Sequence, residues 1–388
     1  MLTTISTPAP LRHAPAESGG IIRPFAASDA VEVAGLLVRA FQNSDRPASA
    51  SMASYLREVY LDAPWFDPEI ASRVLVRADR RIAGFVGVSA MPMLLDGRRI
   101  RTAIISSLAV DPRIADPMTG PRLLRDVRSG PQDAILSDRS NAVAVVPLRS
   151  LGAEVFRGYS LDWLRILRPA GLGIETLARR FGPLRLFAPL AAPFDNRALA
   201  RGLKADDQRW TAPSRSRAAE AFTDREADLN ELVALVPRFL AEFPLRPDWS
   251  AADLTVILSH AARKADLGDF ASRVVLAPNG EPVGLFLTHL RRGRVAQILQ
   301  IMAKKGREGI VIDRAIAYAA ACGAVAIRGR AQPVLLDALM ERRAIFLPDL
   351  TTVVQSRDAE VLRHFREGTA FFTGLAGENW MRLNGDRF

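Results

Sequence analysis

Two stretches of the chain about 200 residues apart carry the same alternation of apolar and polar positions. Ala71-Ser72-Arg73-Val74-Leu75-Val76, a polar turn and Ala83-Gly84-Phe85-Val86-Gly87-Val88 are matched by Ala271-Ser272-Arg273-Val274-Val275-Leu276, a polar turn and Val283-Gly284-Leu285-Phe286-Leu287. A period this long is a domain's length, so the pattern predicts a duplicated globular unit and not a solenoid of short repeats. In the first unit, alternating and helical periodicities predict a strand at 21–25 and a helix opened by Ser28-Asp29, with Val33, Leu36, Leu37, Ala40 and Phe41 on one face. A second helix follows over 50–61, then three antiparallel strands at 73–78, 82–91 and 100–110, turning at Asp79-Arg80 and Asp96-Gly97. Past Val110-Asp111-Pro112 the pattern switches to a loop over 113–120, a helix from Pro121 to about 127, a strand at 134–137, a helix over 141–151 and a closing strand at 159–167. The second unit repeats this plan, with strands at 219–222, 273–276, 283–290, 294–302, 325–328 and 346–355 and helices over 226–239, 249–264, 310–322 and 334–340. The fold class is therefore α/β (α+β), each unit a mixed, mostly antiparallel sheet flanked by helices.

Length is consistent with two such units, since 388 residues, 49% of them apolar, can bury two cores of ordinary size. The expected division is a disordered leader over 1–20, a first domain over 21–169, a helical connector over 170–217 and a second domain over 218–388. The Pro-punctuated stretch 172–203 reads as packed, not as a flexible tether. The leader lacks a basic segment followed by a long apolar run, no stretch approaches the length of a membrane span, and the single Cys322 excludes an internal disulfide and a Cys-built zinc site. A cytoplasmic protein with no metal is expected. The formal net charge of +10 attracts anions of any kind. Its arginines are spread in pairs without the signatures of a nucleic-acid module, so binding to nucleic acid ranks last among the expectations. The aromatic tail from Phe371 to Trp380 is expected to dock across the junction of the two units and to line a cleft there.

The element order, with Ser106 to Leu124 reading SSLAVDPRIADPMTGPRLL, resembles the GNAT superfamily, the Gcn5-related N-acetyltransferases. Ser137 to Pro169, with Asn141 and Leu151-Gly152, is similar to that family's strand, Asn-headed helix, Leu-Gly turn and closing strand. The second unit matches the plan more weakly, with Lys304-Lys305-Gly306-Arg307-Glu308-Gly309 in the position of its phosphate-binding loop. The resemblance implies a tandem GNAT protein transferring an acetyl or other acyl group from acyl-CoA to an amine of a small molecule. It implies that pantetheine enters between Leu108–Val110 and the strand at 134–137. Phosphates would meet the loop over 113–120 and the next helix, where backbone N–H groups and the helix dipole favour anions. Cofactor-binding residues are then Leu108, Val110, Arg113, Thr119, Gly120, Arg122 and Asn141.

The loop departs from the family pattern of Arg/Gln-x-x-Gly-x-Gly/Ala: Ala115, Asp116 and Met118 stand where Arg or Gln, Gly and Gly are usual, and only Gly120 is kept. A carboxylate beside a pyrophosphate repels it, and Arg113 and Arg122 offset that charge. The family's leaving-group tyrosine is Leu148 here. That leaves Tyr159 as the candidate acid and Ser107, beside Ser106, as the residue to position a water that deprotonates the amine. A second reading stays open: a non-catalytic GNAT-like protein that binds a ligand or partner through the same cleft. His289, His260 and Asp111 each have a structural alternative, as a bonded core histidine or a turn residue.

Overall fold

The computed structural model describes residues 20–183, 191, 193–197 and 221–384. The expected leader, apart from Gly20, and much of the connector lie outside the described residues. In chain order the first half comprises β1 (Ile21–Pro24), α1 (Ala30–Gln42), α2 (Ala50–Tyr60), β2 (Arg73–Val76), β3 (Ile82–Ser89), β4 (Pro92–Leu95), β5 (Arg98–Val110), α3 (Thr119–Arg128), β6 (Ala134–Ser140), α4 (Ala142–Ser150), β7 (Glu154–Val155), β8 (Leu161–Ile166) and α5 (Pro169–Arg180). The second comprises β9 (Thr223–Glu226), α6 (Leu229–Leu240), β10 (Leu245–Pro247), α7 (Ala251–Ala262), β11 (Asp269–Leu276), β12 (Pro282–Leu290), β13 (Val295–Ala303), α8 (Glu308–Ala321), β14 (Ala326–Arg330), α9 (Leu336–Glu341), β15 (Ile345–Pro348), β16 (Thr351–Ser356) and α10 (Ala359–Glu367).

Local chemistry sets most of these boundaries. Ser49 opens α2 by accepting the Met52 N–H, and Ser250 and Asp253 form a reciprocal capping box at the start of α7. Asp96 and Gly97 both take positive φ, which suits the tight turn joining β4 to β5. The expected meander of three strands thus gains β4 as an extra short strand. The strand expected at 219–222 falls instead at 223–226, the one expected over 346–355 is broken into β15 and β16, and α10 follows without having been expected.

The largest correction concerns the two closing strands, which are exchanged. The segment expected to close the first sheet, β8, runs antiparallel to β14 and β15 in the second. Its counterpart β16 runs antiparallel to β6 and β7 in the first. The orders are β1-β2-β3-β5-β6-β16-β7 and β15-β8-β14-β13-β12-β11-β9, so each sheet borrows the same strand from the other half. In addition β10 pairs with β4, a further crossing from the second half to the first. Because the two units share one plan, a closing strand fits either sheet, and sequence pattern alone does not assign it.

Three cores follow from this layout. One lies outside the first sheet under α3 and α4, with Leu123, Val127 and Leu148; another lies outside the second under α8 and α9, with Val311, Ala315 and Leu339. The largest joins the halves, taking Leu36, Tyr60 and Phe85 from the first, Leu232, Leu258 and Leu285 from the second, and Phe371, Phe372 and Trp380 from the tail after α10. Those tail aromatics are 0–1% exposed. Burying a side chain of that size stabilises by about 1.5–3 kcal/mol, so the tail is part of the fold, as its aromatic content predicts.

Candidate active site

Each sheet opens into a wedge at its centre. In the first, β5 and β6 run parallel and their pairing ends at Ile104↔Leu136. Just beyond, the register of β5 with β3 shifts, leaving Ser107 and Leu108 together opposite one residue, and Ser107 takes a φ of 52°. Such a bulge bends the strand away from its neighbour. In the second sheet β13 and β14 pair only as far as Ile298↔Gly329, and Leu299 is the extra residue opposite β12. The duplication thus extends to the bulge itself.

The two wedges have different contents. In the second, the tail enters as backbone: Leu375 N–H donates to Gln300 Oε1 at 3.0 Å, and Gln332 Nε2 donates to the Phe372 carbonyl at 3.3 Å. A Cβ on Gly374 would stand 2.6 Å from the Leu299 carbonyl, so the tail lies directly on the bulge. A cavity of only about 10 Å³ remains, lined by Trp163, Gln300 and Arg330, among others. The loop ahead of α8 is also closed: Lys305 N–H is held by Glu242, Gly306 N–H by Glu308, and the Arg342 guanidinium covers Gly309 while paired with Asp313.

In the first wedge the tail contributes a carboxylate. Glu378 N–H donates to Asp138 Oδ1 at 2.9 Å, Ser137 Oγ donates to Glu378 Oε1 at 2.9 Å, and Ser140 Oγ donates to Ser137 Oγ at 3.0 Å. Arg139 binds Asn379 Oδ1 at 2.8 Å, and Arg330, from the second sheet, donates to the Asp138 carbonyl at 2.7 Å. Burial first, and then the charge of Asp138, push the Glu378 carboxyl up to about 8. Burial also raises Asp138, against the opposing fields of Arg330 and Arg139. On the β5 side the Tyr60 hydroxyl lies 2.8 Å from Ser106 Oγ and 3.4 Å from Ser107 Oγ, and burial pushes its phenol up to about 12. Gly87 leaves room for that ring; a Cβ there would stand 2.3 Å from the hydroxyl oxygen.

The residues expected from sequence divide accordingly. Ser107 and Leu108 sit half-buried at the bulge and Val110 is exposed at the outer end of β5, so these three line the first wedge. Thr119 and Gly120 begin α3; Thr119 is fully buried, and space beside Gly120 is open except for Val110 at 3.8 Å. Arg113 is ion-paired with Asp45 and Arg122 donates to the Gly20 carbonyl at 2.5 Å. The side chain of Asn141 caps α4 by accepting the Ala144 N–H. Tyr159 corrects an expectation: it lies in a short turn before the exchanged β8, 1% exposed, its hydroxyl donating to the Ala370 carbonyl at 2.9 Å and its phenol pushed upward by burial. That bond commits its hydroxyl to the tail's backbone. The loop before α3 is drawn onto its own acids, Asp116 accepting the Met118 N–H at 2.7 Å and Asp111 the Arg113 N–H at 3.0 Å. Fewer loop amides are free there than the family pattern implies.

Asp111, buried and paired with Arg39 at 2.8 Å, is structural. So are His289, bonded to the Ala261 carbonyl at 2.9 Å, and His260, packed against Tyr55 and Trp380 and pushed down to about 4 by burial. Among the described residues one trio of possible metal ligands, Asp96, Glu360 and His364, falls within 4.8 Å. The Arg363 guanidinium already stands 2.6 Å from Glu360 there, as an exposed ion pair. Glu378 and Tyr60 were not expected from sequence. Glu378 is a lone acid in a Gly-containing tail, and Tyr60 an aromatic on a helix face that reads as core.

The chain has the fold of the GCN5-related N-acetyltransferases, in two tandem copies. A GCN5-related N-acetyltransferase from Anabaena variabilis superimposes with a TM-score of 0.57 at 12% identity, over 88% of this chain and 74% of that one. A conserved protein of unknown function and probable N-acyltransferase from Enterococcus faecalis gives 0.56 at 10% identity, over 87% and 73%. A GCN5-related N-acetyltransferase from Kribbella flavida gives 0.51 at 11%, over 88% and 72%. No protein-family model and no curated protein matches the sequence. Among the described residues no helix is long and apolar enough to cross a membrane.

Proposed function

We propose that the chain is an N-acyltransferase working through its first wedge, moving an acetyl or other acyl group from acyl-CoA to the amine of a small molecule. The observation that carries this reading is the contrast between the wedges: the tail fills the second with backbone and brings a buried carboxylate to the β6 side of the first. Ser107 and Leu108 frame the thioester, Val110 flanks the pantetheine, and Gly120 faces the phosphates at the start of α3, with Arg113 and Arg122 adding positive charge. Tyr60, bonded to both serines, fixes the bulge that sets the position of the reacting carbonyl. The second wedge has no part in the chemistry. The single, half-buried Cys322 suits a reducing, cytoplasmic setting.

Isothermal titration with acetyl-CoA and longer acyl-CoAs, with thiol release measured across a set of amines, tests this. Binding with amine-dependent thiol release is the expected result; no heat and no thermal shift at millimolar ligand removes the reading. The non-catalytic alternative draws on the loop closed by Asp116 and on Leu148, buried where the family has an acid. Binding without thiol release under any amine supports that alternative.

A further inference from the structure

We propose that the open edge of the first sheet carries a binding site for a small organic anion, held by Arg149 and Arg157, which precede and follow β7, and independent of acyl transfer. A cleft of about 390 Å³ lies there, lined by Arg149, Ala153, Glu154, Val155 and Arg157. That volume is in the range of small-molecule sites. Both arginines are exposed, and neither guanidinium has an ion-pair or hydrogen-bond partner among the described residues. The one acid in the cleft does not oppose an anion, because Arg366 of α10 holds both Glu154 oxygens, at 2.6 and 2.9 Å. Two positive charges are left in excess, facing a space that nothing else in the fold fills.

The backbone brings these groups together. Helix α4 ends in a Schellman turn, with the Ala153 N–H on the Leu148 carbonyl at 3.0 Å, the Gly152 N–H on the Arg149 carbonyl at 2.9 Å, and Gly152 at a φ of 93°. Gln355 Nε2 takes the Leu151 carbonyl at 3.0 Å. With these carbonyls bonded, the negative end of α4 offsets little of the guanidinium field. The turn feeds β7, where Glu154 and Val155 pair with Val354 and Val353, and the Phe156 N–H donates to the Thr352 carbonyl. Antiparallel pairing alternates inward and outward groups, so Val155 directs its N–H and carbonyl off the sheet, and among the described residues no further strand pairs there. A carboxylate or phosphate group thus meets a backbone donor beside two forked cations, a donor set suited to bidentate binding of such groups. Ala153, buried, and Val155, half-buried, give the cleft an apolar wall, which favours an organic anion over a bare ion.

The test is isothermal titration at constant ionic strength with benzoate and phenyl phosphate, whose head groups differ, and with inorganic phosphate, which lacks an apolar body. It compares wild type with Arg149→Ala, Arg157→Ala, Arg149→Lys and Arg157→Lys. Both side chains are exposed, so the substitutions spare the fold, which circular dichroism checks. Saturable binding of at least one organic anion is expected, weakened about tenfold by either alanine variant and less by either lysine variant, which keeps the charge and loses the fork. The tighter of the two ligands assigns the head group, and inorganic phosphate should bind several-fold more weakly than that ligand. Hydrogen exchange adds a local readout: the bound anion should slow exchange of the Val155 amide in wild type and leave it unchanged when both arginines are alanine. All variants should titrate with acetyl-CoA as wild type does, whatever that result is, which separates this site from the acyl-transfer reading. The proposal is overturned by no saturable binding of either organic anion at millimolar concentration, by equal binding in wild type and the alanine variants, by inorganic phosphate matching the tighter organic anion, by unprotected Val155, or by variants that change acetyl-CoA binding.

Discussion

The two wedges began as copies of one another and now differ mainly in what a single stretch of tail does in each. Over the second, Thr373 and Gly374 hold positive φ and lay main chain across the bulge. A few residues on, Gly377 and Glu378 turn a side chain into the first. The phosphate loops diverge in the same sense. The second is closed by Glu242, Glu308 and Arg342, which cover its amides and Gly309, whereas in the first Asp111 and Asp116 take amides from within, Arg77 donates to the Ile114 carbonyl and Asp45 pairs with Arg113. Duplication thus preserved the backbone device, a bulged strand beside a diverging one, and a segment outside both sheets gives the two copies different contents.

The severest way to break this comparison is to remove the tail. Ending the chain after Thr369 withdraws Phe371, Phe372, Leu375, Trp380 and Met381, all buried, from the shared core. That is on the order of 10 kcal/mol, comparable to the whole stability of a domain. Circular dichroism and limited proteolysis should find no cooperative fold. A truncated protein that stays folded would show that the tail is an accessory of one half.

Two alanine substitutions then separate the wedges. Gly374→Ala puts a Cβ against Gln300 and the Leu299 carbonyl on a backbone with φ of 62°, and should cost about 2–4 kcal/mol by urea unfolding while leaving the rate of the folded fraction unchanged. Gly377→Ala meets only the Asp138 carboxylate, so about 1–3 kcal/mol is expected, now with loss of transfer activity. Equal effects of the two on rate would mean that the wedges are not functionally distinct.

A smaller effect comes from His260, which packs against Trp380 between the wedges. Its folded pKa lies at about 4 against an ordinary 6.5, so between those values the unfolded chain binds the extra proton, and stability drops as pH falls through that window. Differential scanning calorimetry should record a falling Tm over that range, with a shallower fall in His260→Phe. The smallest expected effect sharpens the comparison of loops. Asp116→Ala frees the Met118 N–H and removes a negative charge, and should tighten acyl-CoA binding several-fold by titration, while Glu308→Ala in the second loop leaves it unchanged.

The fold was legible in sequence wherever its signals are local. Periodicity, Ser49, Asp96-Gly97 and Pro121 mark elements within a few residues of where they form, and the repeat announces the duplication. The exchange of β8 and β16 was not legible, because copies of one plan present interchangeable edges and register carries no label for the half it comes from. The wedge residues Ser107, Leu108 and Val110 followed from the loop that succeeds them. Glu378 did not, because its proton affinity comes from burial and from Asp138, some 240 positions earlier in the chain, which no spacing rule connects. Tyr159 precedes the exchanged β8, and its hydroxyl is taken by the Ala370 carbonyl of the tail, a partner some 210 positions away that local pattern does not reveal.

That exchange also constrains how the molecule is made. Once β6 has left the ribosome, about 200 further residues must be translated before β16 can cover its edge. At ordinary elongation rates this is roughly 10–40 s during which a half-built, apolar sheet shows an unpaired border to solvent. A nascent polypeptide in that condition calls for a holdase at the tunnel exit, and slow codons ahead of β16 would lengthen its exposure.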